Sequence, residues 1–199
     1  MEMRHSGTVV GIDEVGRGPW AGPVVAACLF FHDYELPTDI ALYLNDSKKM
    51  TALQREKIYD KLTNSQICSY AIGQASVEEI DEHNIRQATF MAMERSFNLL
   101  NQKIDVALID GNCAPKLPCQ TIPIIKGDAI SLSIAAASVI AKVYRDKFMQ
   151  ELSLSFPGYG WEKNAGYGTK KHQEGISLYG ITPHHRKSFA PIRNALKAA

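Results

Sequence analysis

Residues 8–31 read Thr-Val-Val-Gly-Ile-Asp-Glu-Val-Gly-Arg-Gly-Pro-Trp-Ala-Gly-Pro-Val-Val-Ala-Ala-Cys-Leu-Phe-Phe. The runs 8–13 and 22–31 are rich in Val and other strand formers, and a Gly/Pro-rich turn separates them, so they are expected to pair as strands. The turn from Gly16 to Ala21 also satisfies Gly-x-Gly-x-x-Ala, the fingerprint of dinucleotide-binding folds. That fingerprint has to open a helix, whereas residues 23–31 read as strand, and the two acids just upstream would repel a pyrophosphate. A nicotinamide-dependent dehydrogenase is therefore kept only as the alternative enzyme class. No Gly-Lys-Ser/Thr sequence makes the turn a phosphate-binding P-loop.

Outward from this hairpin, Thr51 is expected to cap a helix over 51–62, followed by a strand over 67–74 and a long amphipathic helix over 84–100. Ile85, Ala88, Met91, Ala92, Arg95 and Leu99 recur there at helical spacing. Residues 105–110, Asp-Val-Ala-Leu-Ile-Asp, read as a buried central strand, with 123–125 parallel to it. A helix is expected over 129–154, and its Ala135, Ala136, Ala137, Ser138 and Ala141 form a small-residue surface able to approach a sheet closely. Shorter helices are expected over 170–179 and 191–197. Strands first, then alternating helix and strand, predict an α/β fold with a mixed central sheet flanked by helices and a helical C-terminal segment.

Acids interrupt this pattern at particular places. Asp13 and Glu14 end the first strand between Gly11 and Gly16, although acidic residues are poor strand formers and costly beside a core. In a regular strand they point to opposite faces, so both serve one site only at a strand end or a distortion. Asp110 ends the central strand, and Asp128 precedes the Ala-rich helix. Singly, Asp110 reads as a turn residue and Asp128 as an N-cap. Together they place carboxylates at the ends of three adjacent elements, where like charges repel unless a cation sits among them. Such oxygen donors suit Mg²⁺ or Mn²⁺, and two such ions would activate a water and stabilise the leaving oxygen of a phosphodiester. The glycines at 16 and 18 let backbone groups approach a sugar, and Arg17 offers a fork to phosphate. A 2′-hydroxyl is what such a backbone would read to tell ribose from deoxyribose.

Charge supports a polyanion partner only when divided by position. The net charge of the 199 residues is +1, yet residues 1–100 hold 9 Lys/Arg against 14 Asp/Glu and residues 101–199 hold 13 against 7. Residues 142–199 alone carry 10 against 4, so much of a duplex grip is expected there. Cys28, Cys68, Cys113 and Cys119 form no Cys-x-x-Cys pair and fit reduced thiols, with Cys28 and Cys68 buried in apolar runs. With no signal peptide and no apolar run of spanning length, a cytoplasmic protein without a membrane partner is expected. His172, His184 and His185 are read as surface or phosphate-contacting groups rather than zinc ligands, and Trp20 and Trp161 as packing residues.

The blocks Gly11-Ile-Asp-Glu-Val-Gly-Arg-Gly18, Asp46-Ser-Lys-Lys49, Ile109-Asp-Gly-Asn112, Lys126-Gly-Asp128 with its Ala-rich continuation to Asp146, Gly166-Tyr-Gly-Thr169 and His184-His-Arg-Lys-Ser-Phe189 closely resemble the bacterial ribonuclease HII family. The resemblance implies one RNase H-like catalytic domain over 1–199, with a substrate-binding segment over about 157–199. It implies an endonuclease, a hydrolase of replication and ribonucleotide excision repair, whose partners are RNA–DNA hybrids and duplex DNA containing ribonucleotides. Such an enzyme cuts the RNA strand of hybrids and the 5′ side of single embedded ribonucleotides, by two-metal-ion hydrolysis leaving 5′-phosphate and 3′-hydroxyl ends. Its metal-binding and catalytic acids fall on Asp13, Glu14, Asp110 and Asp128. Its ribose-sensing loop falls on Gly16, Arg17 and Gly18, its sugar-stacking tyrosine on Tyr167 and a phosphate contact on Lys48. From the residues alone, Tyr167 reads equally as a loop tyrosine pinned on the core, and Lys48 with Lys49 as solvated lysines. The family resemblance is read with a monomer in view, and twelve residues before Asp13 speak against the ribonuclease HIII subtype.

Overall fold

The computed structural model describes residues 1–45 and 50–198. Its elements are a 3₁₀ turn Glu2–Arg4, β1 (Val9–Val15), β2 (Val24–Phe31), α1 (Thr38–Asn45), α2 (Ala52–Asn64), β3 (Cys68–Ala75), α3 (Val77–Leu99), β4 (Val106–Asp110), β5 (Gln120–Ile124), a 3₁₀ turn Gly127–Ala129, α4 (Leu132–Ser155), α5 (Trp161–Asn164), α6 (Lys170–Tyr179) and α7 (Ala190–Ala198). The five strands form one sheet in the order β3-β2-β1-β4-β5. β1, β2 and β3 pair antiparallel, while β4 joins β1, and β5 joins β4, in parallel. The Gly-x-Gly-x-x-Ala turn thus leads into a strand antiparallel to the one before it, which leaves a dinucleotide fold without its required helix.

Strand alternation sets the two cores. Val25, Ala27 and Leu29 of β2 face α4, together with α1 and α2, whereas Val24, Ala26 and Cys28 face α3. The alanines of α4 lie directly on the sheet. A Cβ added to Gly11 would stand 2.2 Å from the backbone of Ser133 and Ile134, so the closeness of α4 to β1 depends on glycine there. Cys28 and Cys68 are buried, and all four cysteines are free thiols. Among the described residues no helix is long and apolar enough to cross a membrane.

Several boundaries differ from expectation for identifiable reasons. α3 begins at Val77 because Ser76 and Glu79 form a reciprocal capping box. It is interrupted at Asn84 (φ 66°, ψ 162°), whose side chain accepts from the N–H of Arg86 and Gln87 and recaps the helix. The expected start at 84 is therefore a second start within one element. Its buried face runs through Ala88, Thr89, Ala92, Met93 and Ser96, while Leu99 is exposed and Arg95 pairs with Glu79. α4 begins at Leu132, capped by Ser131, so Asp128 belongs to the preceding 3₁₀ turn and is not its N-cap. β5 runs over 120–124 rather than 123–125. α1 and α5 were not foreseen at all.

Candidate active site

β1 and β4 run parallel in the register Ile12 with Ile109, and the next residues along are Asp13, where β1 parts from β4, and Asp110, the carboxyl end of β4. This is where parallel strands present ligands in open α/β sheets. Asp13 and Glu14 need no bulge to serve this end, since both stay in regular register with Ala27 and Ala26 of β2. Neither a bulge nor the last residue of the strand is found: the acids stand two and one residues before Val15, just past the point where the pairing of β1 with β4 stops. Asp110 accepts a hydrogen bond on Oδ1 from the Gly127 N–H at 2.7 Å, which fastens the 3₁₀ turn carrying Asp128 to the end of β4.

The carboxylates are held at an electrostatic cost. Burial raises the Asp13 pKa well above the ordinary aspartate range, and the charges of Glu14 and Asp110 raise it further, against hydrogen bonds from Ser138 and the Glu14 backbone. Burial likewise raises Glu14; Arg17 opposes this and Asp110 adds to it. Arg17 Nη1 donates to Glu14 Oε1 at 3.2 Å, while Glu14 Oε2 is buried with no hydrogen-bond partner. An orphan buried oxygen among hard, mutually repelling donors fits a divalent cation. Among the described residues no three His, Cys, Asp or Glu side chains stand together as a group able to hold a metal ion, so the acids are electrostatic neighbours rather than a ready ligand set. A pocket of about 250 Å³ opens beside them, lined by Glu14 and Arg17, by Arg86 of α3 and by Asp110 to Cys113.

The Gly16–Gly22 loop is fixed by residues that sequence reasoning missed. Arg186, fully buried, donates to the carbonyls of Gly16 (2.6 Å), Arg17 (3.0 Å) and Gly22 (2.8 and 2.9 Å). Arg145, also fully buried, donates to Pro23 (2.9 Å), Ala21 (3.0 Å) and Ala165 (2.9 Å). Burial lowers their pKa values to about 10 and about 9 for Arg145 and Arg186, and both stay charged at neutral pH. The signal for them was weak, since a buried arginine looks in sequence like any other surface cation. Two of the ten Lys/Arg of residues 142–199 are therefore unable to touch a duplex.

The same clamp positions Tyr167. The N–H of Trp20 donates to the Gly166 carbonyl at 2.8 Å, and a Cβ on Gly18 would meet the Tyr167 ring at 3.4 Å, so the half-exposed ring stands over the Gly16–Gly18 turn. Behind it, His172 and His185 are fully buried, which corrects their reading as surface groups. The Thr182 N–H donates to His185 Nδ1 at 2.9 Å, so neutral His185 carries its proton on Nε2 and donates it to His172 Nε2 at 3.0 Å. Trp161 Nε1 donates to that same nitrogen at 3.1 Å, leaving His172 Nδ1 to donate to the Tyr167 carbonyl at 3.0 Å. Lys48 lies outside the described residues.

The comparisons agree with this geometry. The family profile for Ribonuclease HII matches residues 10–192. The ribonuclease HII of Gluconobacter oxydans (strain 621H) is 52% identical over 198 residues, covering 100% of this chain and 95% of that protein. The ribonuclease H2 of Pyrococcus horikoshii OT3 superposes with a TM-score of 0.81 at 26% identity, covering 96% of this chain and 98% of that one. Bst-RNase HIII in complex with Mn²⁺ shares the fold at 19% identity and a TM-score of 0.74, covering 96% of this chain and 70% of that one. The chain thus belongs to the ribonuclease HII family and is a hydrolase of the type 2 ribonuclease H class.

Proposed function

We propose that this protein hydrolyses the RNA strand of RNA–DNA hybrids and cuts on the 5′ side of single ribonucleotides embedded in duplex DNA, leaving 5′-phosphate and 3′-hydroxyl ends. The observation that carries the reading is the pairing of two features at one sheet end. Repelling carboxylates converge beside a backbone loop held rigid enough to inspect a sugar. Asp13, Glu14, Asp110 and Asp128 would hold Mg²⁺ or Mn²⁺, two ions in the full reading, and the relative solved with Mn²⁺ supports that metal class. When bound, the metal would lower the pKa of a water and offset charge on the departing oxygen.

The chain's own residues do the rest. Gly16, Arg17 and Gly18 present backbone groups and a guanidinium to the ribose and its phosphate, and Tyr167 stacks on the sugar beside the RNA–DNA junction. Arg186 keeps the carbonyls of Gly16 and Arg17 turned inward, with Arg145 holding those of Ala21 and Pro23 behind them, and together they fix which groups face the substrate. Lys48 adds a phosphate contact, and the protein works as a cytoplasmic monomer, with its C-terminal part contributing to duplex binding within one catalytic domain. The decisive experiment is incubation with matched duplexes containing no ribonucleotide, one, or an RNA strand, with Mg²⁺ or with chelator. Metal-dependent cutting beside the ribose, and none of the all-DNA duplex, is the expected result; equal cutting of all three would defeat ribose reading. Tyr167→Ala is expected to lower cleavage of the single-ribonucleotide duplex more than that of the hybrid.

A further inference from the structure

The pocket beside the acids has a wall that the proposed reaction leaves unused. α3 contributes Arg86, an exposed residue two positions after the break at Asn84. The Asn84 side chain recaps the helix after the break, and Arg86, Thr89, Phe90 and Met93 of the part that follows line this wall. Among the described residues Arg86 has no carboxylate partner. Nη2 lies 3.5 Å from Cys113 Sγ, a weak acceptor, and the guanidinium stands 5.7 Å from the centre of the Phe90 ring. Packing on a ring face orients the guanidinium plane and leaves edge donors available. Arg17, the other cation of the pocket, is already spent in part on Glu14. Arg86 is therefore the pocket's uncommitted fork, facing the space between the two sheet-end acids and the loop after β4.

We propose that Arg86 is a further phosphate contact, gripping the nucleic-acid backbone from the α3 side while the Gly16–Gly18 loop reads the ribose. The ligand is a backbone phosphate, because a planar guanidinium with free edge donors pairs with phosphate oxygens in a fork, and Arg86 shares its pocket with the acids at which a phosphodiester would be cut. The inference rests on the nuclease reading for its role in turnover, but its binding signature does not require cleavage.

The test compares the full chain with Arg86→Gln and Arg86→Lys. In chelator, binding of a fluorescent RNA–DNA hybrid is followed over a salt series. Arg86→Gln is expected to bind several-fold more weakly, with the slope of log affinity against log salt shallower by about 0.9, one counterion's worth, and Arg86→Lys is expected to keep most of the slope. With Mg²⁺ or Mn²⁺, KM is expected to rise while kcat and the metal concentration for half-maximal rate stay put. An unchanged affinity and slope would overturn the proposal. So would a lowered metal requirement with an unchanged slope, because Arg86 would then only offset the neighbouring carboxylates. Failure of the unsubstituted protein to cut any ribonucleotide-containing duplex would defeat the nuclease reading instead, and the salt slopes would still decide on Arg86.

Discussion

Asp110 is pulled in two directions by its position. Its Oδ1 is satisfied by the Gly127 N–H, yet its charge adds to the burden on both Asp13 and Glu14. Asp110→Asn keeps the oxygen that Gly127 needs and removes the charge, so function and stability are expected to move oppositely. Cleavage at saturating Mg²⁺ should fall by more than about 100-fold, beyond the loss typical of outer metal partners. Melting in chelator should rise by roughly 2–4 °C, the shift that about 1 kcal/mol gives a chain of this size. Near-normal turnover would remove Asp110 from the metal site, and an unchanged melting temperature would mean that its charge costs the fold nothing. Asp13, Glu14 and Asp110 stand out in the sequence because a carboxylate at an apolar strand run conflicts with its surroundings, whereas Asp128, in a 3₁₀ turn, stands out only beside them. Arg145 and Arg186 were not, because nothing in a one-dimensional pattern distinguishes a cation that bonds carbonyls in the interior from one in water.

Elements were legible where a local signal coincides with tertiary packing. The β1–β2 hairpin was read from strand formers around a Gly/Pro turn, and α2 from Thr51, whose side chain and that of Gln54 close a capping box. The start of α3 carries an equally good box at Ser76 and Glu79, but its first turns are rich in acids with only Val77 and Ile80 buried, so the helical period is legible only from Asn84 on. Taken singly, Asp128 reads as the α4 cap on residue type. Ser131 takes that place because Glu2, arriving from the far end of the chain, accepts from Ser131 Oγ, Ser133 N and Ser133 Oγ and fixes this turn. Burial alone would raise the Glu2 pKa, and these bonds bring it to about 2. The close seating of α4 on β1 belongs to the same scale. Gly11→Ala places a methyl 2.2 Å from the α4 backbone, which cannot yield as a side-chain tip does. Destabilisation of about 3 kcal/mol in urea unfolding is expected, the upper range for overpacking. A loss below about 1 kcal/mol would show that helix and sheet can slide apart.

The whole molecule is organised around a charged but dry joint between its two ends. Arg145, Arg186, His172 and His185 lie fully buried between the Gly16–Gly22 loop and the C-terminal helices. The two histidines must be neutral, since every acceptor nitrogen in the chain from Thr182 to Tyr167 is already committed. Burial, then the nearby His172, brings the His185 pKa to about 4, below its ordinary value of 6.5, and burial lowers His172 as well. The stability they confer is present above pH 6.5 and declines as pH falls toward 4, because the unfolded chain takes up protons that the folded one refuses. Unfolding free energy is expected to drop by about 2 kcal/mol between pH 6.5 and 5 through His185 alone. That window lies above the ordinary glutamate range, so the hydrogen-bonded carboxylates of Glu2 and Glu79 remain ionised throughout it. Asp13 and Glu14, whose folded pKa values are raised, titrate in the opposite sense, so the check is a comparison with His185→Gln: a pH dependence of stability over that interval unchanged by the substitution would contradict the neutral histidine network.

Arg186 reaches back 169 residues to hold the Arg17 carbonyl. On a growing chain the four acids emerge well before that guanidinium does, and translation proceeds from the amino end. In the proposed function the means of cutting is thus synthesised first and the means of choosing what to cut is locked last, so a nascent or C-terminally clipped chain is expected to carry the acids with a slack Gly16–Gly18 loop.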